Sequence, residues 1–118
     1  MKAFVVSIIC TSVLILMVIL NGIYVGNVTK NLSEMTSNLK IDEEKGLADL
    51  EEYWEKNESI ICFSVSHKDV DNVNIAIEVL RGKYESGDMA GFYEYKSLLS
   101  LYIQEIHDKE RIHIHNIL

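Results

Sequence analysis

The chain has 118 residues, no proline, two cysteines, and a formal charge of −7 from eighteen Asp and Glu against eleven Lys and Arg. That length allows one small domain, and the acidic balance excludes nucleic acid and anionic lipid head groups as ligands, because both are held by Lys and Arg neutralising phosphate. Without proline the commonest helix breaker is missing, which argues against a loop-rich or all-β design.

The first element is Ala3 to Val25, AFVVSIICTSVLILMVILNGIYV, and no charge lies between Lys2 and Lys30. A helix needs about 20 apolar residues to cross roughly 30 Å of hydrocarbon. Fourteen positions from Phe4 to Val25 are Val, Ile, Leu or Phe. At roughly −0.3 to −0.6 kcal/mol each they outweigh Ser7, Thr11, Ser12 and Asn21 on an insertion scale. The run is longer than a secretory signal core, no Ala-x-Ala site follows it, and Ile9 before Cys10 does not suit a lipoprotein cysteine. The sequence therefore predicts an uncleaved anchor over residues 1–29, in contact with a lipid bilayer. Lys2 on the short side places the amino terminus in the cytoplasm and the C-terminal domain outside the cell. Ser7, Thr11, Gly22 and Gly26 fall within about a 100° arc of that helix, a small-residue stripe where two copies can approach in the membrane.

Residues 30–118 carry all eighteen acids and make the second unit, an acidic helical domain. Val25, Val28, Leu32, Met35 and Leu39 recur three and four apart, so the anchor helix continues into that domain and stops near Lys40-Ile41-Asp42. A second stripe follows with Leu47, Leu50, Trp54, Ile61 and Ser64, Asn57 filling the missing step. Asp49, Glu51, Glu52, Glu55 and Glu58 lie opposite as a solvated face. Ile61 to His67 alternates apolar and small polar residues as a strand does, but a single hairpin is marginal in water, so helix is predicted here too. Ser66 with Asp69 resembles a capping box opening a third helix, striped by Val70, Val73, Ile77, Leu80 and Tyr84. Ser86-Gly87-Asp88 ends that helix and caps the next, whose face is Phe92, Tyr95, Leu99, Tyr102 and Ile106, widened by Leu98 and Ile103. The predicted architecture is all-α: a transmembrane helix continuing into a small antiparallel bundle of three to four helices.

Little in this pattern carries chemistry. His113 and His115 point nearly 200° apart on a helix, His107 is six residues before His113, and no cysteine stands at ligand spacing. Cys10 in the anchor and Cys62 in the domain cannot reach each other, and each reads as a small apolar residue. No Gly-rich phosphate loop, Gly-x-Ser-x-Gly elbow or His-Glu-x-x-His pair is present. No catalytic, cofactor or metal residue is therefore assigned, and an enzyme is not predicted. Asn27, Asn31 and Asn57 open glycosylation-type tripeptides that matter only in a eukaryotic source.

The opening MKAFVVSIIC, the NGIYVGNVTKNL exit, the segment EYWEKNE, the junction SHKDVDNV and the run LLSLYIQEIHDKE to NIL resemble one family over nearly the full length. It is a family of short single-span helical proteins of low-GC Gram-positive bacteria, classed as a domain of unknown function. The resemblance implies helix rather than strand through Ile61 to His67 and carries no activity. It singles out Trp54, His67 and His107 as positions without a known role.

Two functions remain. One is an interaction module displayed on the extracytoplasmic side, binding a second copy or another membrane or envelope protein. The alternative is a ligand- or cation-sensing bundle, which must signal through a partner membrane protein because only Met1 and Lys2 lie on the inner side.

Overall fold

The computed structural model describes residues 1–117, without the side chains of residues 113, 114, 116 and 117. Four helices follow in order: α1 Lys2–Ser37, α2 Glu44–Ile61, α3 His67–Ser86 and α4 Met89–Ile117. No strand occurs among the described residues; an isolated bridge between Lys40 and Glu43 closes the α1–α2 turn. The molecule measures 68 × 23 × 21 Å. The 36 residues of α1 account for about 54 Å of that length at 1.5 Å per residue.

The helices form an up-down-up-down bundle. α4 packs extensively on both α1 and α3, α2 lies more lightly against α1 and α3, and the backbones of the diagonal pairs stay apart among the described residues. The predicted stripes explain this order. Val25, Val28, Leu32 and Leu39 from α1 and its exit turn meet Leu47, Leu50 and Trp54 of α2, Val70, Val73, Ala76 and Leu80 of α3, and Phe92, Leu99, Ile103 and Ile106 of α4 in one core. Burying a side chain of this size stabilises by roughly 1.5–3 kcal/mol. Met35, Tyr84, Tyr95 and Tyr102, also expected inside, pack at the edge of the core.

The helix ends follow local chemistry. Ser66 caps α3 by accepting from the Asp69 amide at 3.2 Å. Gly87, at φ 73°, ends α3 in a Schellman turn in which the Asp88 amide reaches the Lys83 carbonyl at 3.0 Å. Asp88 then starts α4, its Oδ1 accepting from the Gly91 amide at 3.0 Å.

One expectation fails. Between Ile61 and His67 the chain is neither helix nor strand: α2 ends at Ile61, Cys62 to Val65 turn and bend, and α3 begins at His67. The Phe63 amide bonds to Ile60 and the Ser64 amide to Ile61, so the ladder shortens from four residues to three and the helical register is lost. Ser64, expected on the buried stripe, is exposed, and Val65 takes the inner place.

The unit boundary placed after residue 29 cuts through a continuous helix. Gly22, Val25, Val28 and Thr29 are already buried against the bundle, whereas from Lys2 to Leu20 every residue but the half-buried Ile19 is exposed.

Candidate functional site

Trp54 is buried in the core, with one polar handle. Its Nε1–H donates to Asn74 Oδ1 at 2.6 Å, and Asn74 Nδ2 donates to Glu58 Oε1 at 2.7 Å. This chain ties α2 to α3 where apolar contact is thin. A similar lacing joins α1 to α2: the Tyr24 hydroxyl donates to Asn57, Asn57 Nδ2 donates to the Tyr53 carbonyl at 2.8 Å, and Asn31 Nδ2 donates to the Tyr53 hydroxyl at 3.0 Å. Toward the far end Arg81 holds Glu51 through two guanidinium nitrogens, Nε at 3.2 Å, with Glu44 at 3.5 Å from a third. The Glu51 hydrogen bond holds the Arg81 proton more tightly than usual, against the opposing pull of burial.

His107 sits half-buried between α4 and α1, its Nδ1 3.0 Å from Thr29 Oγ1. The Thr29 hydroxyl also reaches the Gly26 carbonyl at 3.0 Å. The Thr29 oxygen thus lies between two partners, the Gly26 carbonyl of its own helix and the His107 ring of α4. His67 is exposed at the first position of α3 and joins neither network. The structure thus brings His107 to α1, Trp54 to α3, and leaves His67 outside.

Of the small-residue stripe, Ser7 and Thr11 lie exposed on the free part of α1, where Thr11 Oγ1 donates to the Ser7 carbonyl at 2.8 Å. Gly22 is buried, and with Gly26 it faces His107, Glu110 and Arg111 of α4 across a cavity of about 200 Å³. Two larger cavities flank α1. One of about 530 Å³ lies over Thr29 and His107, between α1 and α4. The other, about 580 Å³, is walled by Leu14, Met17, Val18 and Asn21 on one side and by the α2–α3 turn, Ile106 and Lys109 on the other. Beside it Asp69 is buried and accepts from Lys109 Nζ at 2.9 and 3.1 Å.

Among the described residues no group of three His, Cys, Asp or Glu is placed to hold a metal ion, and the side chain of His113 lies outside them. Cys10 and Cys62 are free thiols.

A family model for DUF4363, a domain of unknown function, matches residues 24–117. The chain belongs to the DUF4363 family. The match starts at Tyr24, where the hydrogen bonds to α2 begin, so the DUF4363 unit coincides with the packed bundle and takes in the second half of α1. No curated protein and no solved structure matches the chain.

The polar lacing was the part least visible in the sequence. Asn57 is marked by its place in an apolar stripe, but Asn74 stands between Val73 and Ile75 with nothing to show that it faces Trp54.

Proposed function

We propose that this DUF4363 protein is a single-pass membrane protein whose acidic bundle stands on the extracytoplasmic side as an interaction module rather than an enzyme. The observation that carries this reading is the first half of α1. From Ala3 to Leu20 it is apolar around its whole circumference and has almost no partner within the chain, Phe4 being 69%, Leu14 63% and Met17 61% exposed. A helix apolar on all sides belongs in an apolar medium. Lys2 as the only charge before Lys30 favours the short end inside.

An anchor continuous with the bundle suits a protein that holds a surface at a fixed height above the bilayer. Its partner is a second copy of the chain or another membrane or envelope protein, met by the acidic outer face of α2. The test is membrane fractionation of the full chain with labelling of Ser86→Cys, in a Cys10→Ala, Cys62→Ala background, by an impermeant maleimide on intact cells. Resistance to alkaline extraction with labelling from outside is expected. Release by alkali overturns the anchor, and labelling only after lysis overturns the sidedness. Mild crosslinking at native expression is expected to recover a homo-oligomer or a stoichiometric partner; a lone monomer overturns the interaction role.

A further inference from the structure

The α2–α3 turn has features that a solvent-facing turn does not need. Nothing between Glu58 and Lys68 is charged. Phe63 is 91% exposed at its tip, and Ile60 beside it is 46% exposed. A single exposed Phe is ordinary on a protein surface, but the place of this one is not. With Ser64 to Ser66 it forms one wall of the 580 Å³ cavity whose other wall is Leu14, Met17 and Val18. The turn therefore lies level with Leu14 to Asn21, the last turns of the apolar half of α1 and the residue that ends it.

The turn's amides are also internally paired. Those of Cys62, Phe63, Ser64 and Val65 donate to the carbonyls of Glu58, Ile60, Ile61 and Ile61 in succession, at 2.9–3.3 Å. Four consecutive donors are thus satisfied within the turn, which removes their share of the cost of leaving water. Of the three charged groups at the cavity, Asp69 and Lys109 are paired with each other, and Glu110 has an interaction of its own.

We infer that the α2–α3 turn dips into the bilayer beside α1, with Phe63 among the acyl chains and one phospholipid acyl chain filling the cleft between turn and span. The inference rests on the membrane reading above. The occupant is lipid because one wall of the cleft is the lipid-facing surface of the span itself, and its volume lies within the 300–1,000 Å³ typical of small-molecule sites. The turn then gives the bundle a second foothold, which fixes its tilt where a single helix leaves it free.

The test uses the full chain with Cys10→Ala and Cys62→Ala, reconstituted in phosphatidylcholine vesicles and spin-labelled through Phe63→Cys, Ile15→Cys or Ser86→Cys. Saturation is read against oxygen, which enters hydrocarbon, and a nickel chelate, which stays in water. Position 63 is expected to follow position 15, with oxygen favoured, while position 86 favours nickel. Nickel access at 63 with oxygen preference at 15 overturns the foothold and leaves the anchor standing. Nickel access at 15 brings down the anchor reading itself. Exclusion of both reagents from 63 means that protein covers the turn, and overturns the inference. The cleft is tested separately on the natural chain, released from phosphatidylcholine nanodiscs into a native mass spectrometer. One retained lipid per chain is expected, lost in Ser64→Trp, which fills the cleft from an exposed position. No lipid on the natural chain, or equal retention in both, overturns the acyl-chain assignment.

Discussion

The two halves of α1 share one uninterrupted helix and almost nothing else. From Ala3 to Leu20 apolar residues cover every side, and no stripe can be drawn. From Gly22 to Ser37 the buried positions Gly22, Val25, Val28, Thr29, Leu32 and Thr36 fall on one face, with Asn27, Lys30, Asn31 and Glu34 exposed around them. The second half obeys the rule for a helix on the surface of a water-soluble core. The first obeys no such rule, because its solvent differs. The change comes at Asn21-Gly22, where polar and small residues first allow α4 to approach. Since no break intervenes, a tilt of one half must move the other.

The largest effect expected from breaking this contrast comes from charging the first half. Val13→Arg with Leu16→Arg should raise the cost of membrane insertion by about 5–7 kcal/mol, at roughly 2.5–3.5 kcal/mol per arginine near a span centre. Alkaline extraction should then release the chain while circular dichroism still reports a folded bundle. Retention in the pellet means that lipid does not surround these positions. The mirror experiment is Leu32→Ala, a fully buried side chain on the second half of the same helix. It should lower the stability of the bundle by about 2–5 kcal/mol in urea titrations in mild detergent, with membrane fractionation unchanged. Leu16→Ala should leave the same midpoint in place.

How much of this was legible depends on which physical rule applied. Helix type and order were readable because Val70, Val73, Ile77 and Leu80, or Phe92, Leu99 and Ile106, keep one period over several turns, and the core confirms them. The ends of α3 were readable because Ser66 and Gly87 are the residues that those backbone positions require. Ile61 to His67 was not. Its alternation fits a strand and its setting fits a helix, and the turn is decided by hydrogen bonds from Phe63 and Ser64 that no periodicity announces. The partner of His107 was equally hidden, because Thr29 lies 78 positions away, and only the antiparallel docking of α4 on α1 brings the two together. The candidate positions Trp54 and His107 prove to be points where helices are tied to one another, and His67 is not.

A smaller effect separates two threonines on the same helix. Thr29 is 2% exposed and serves both the Gly26 carbonyl and His107. Thr11 is exposed and serves only the Ser7 carbonyl one turn back. Thr29→Val keeps the shape but strands the His107 ring nitrogen, and should cost the bundle about 1 kcal/mol, within the usual 0.5–1.5 kcal/mol for a lost hydrogen bond. Thr11→Val should leave the same urea midpoint unmoved. Equal shifts for the two variants would mean that the bundle senses both halves alike.

The smallest effect lies at the end of the bundle farthest from the apolar half, and it separates the two regions by pH. Asp88 accepts from the Gly91 amide and pairs with Lys83 at 3.2 Å. The amide hydrogen bond first, and the Lys83 side chain second, hold its carboxyl below the usual range. A carboxyl depressed in the folded state adds stability in full above its unfolded pKa, near 3.9, and that stability is lost as the pH falls through the lower folded value. Asp88→Asn keeps an oxygen to cap α4 but has no charge to titrate. Its urea midpoint should lie below that of the natural chain at pH 7, and the gap should narrow on going to pH 3. A gap of the same size at both pH values would show that Asp88 acts by the shape of its cap alone. Alkaline extraction should not distinguish the two chains, because the charge sits at the α3–α4 turn, beyond the whole length of the packed bundle from the segment that Val13→Arg and Leu16→Arg disable.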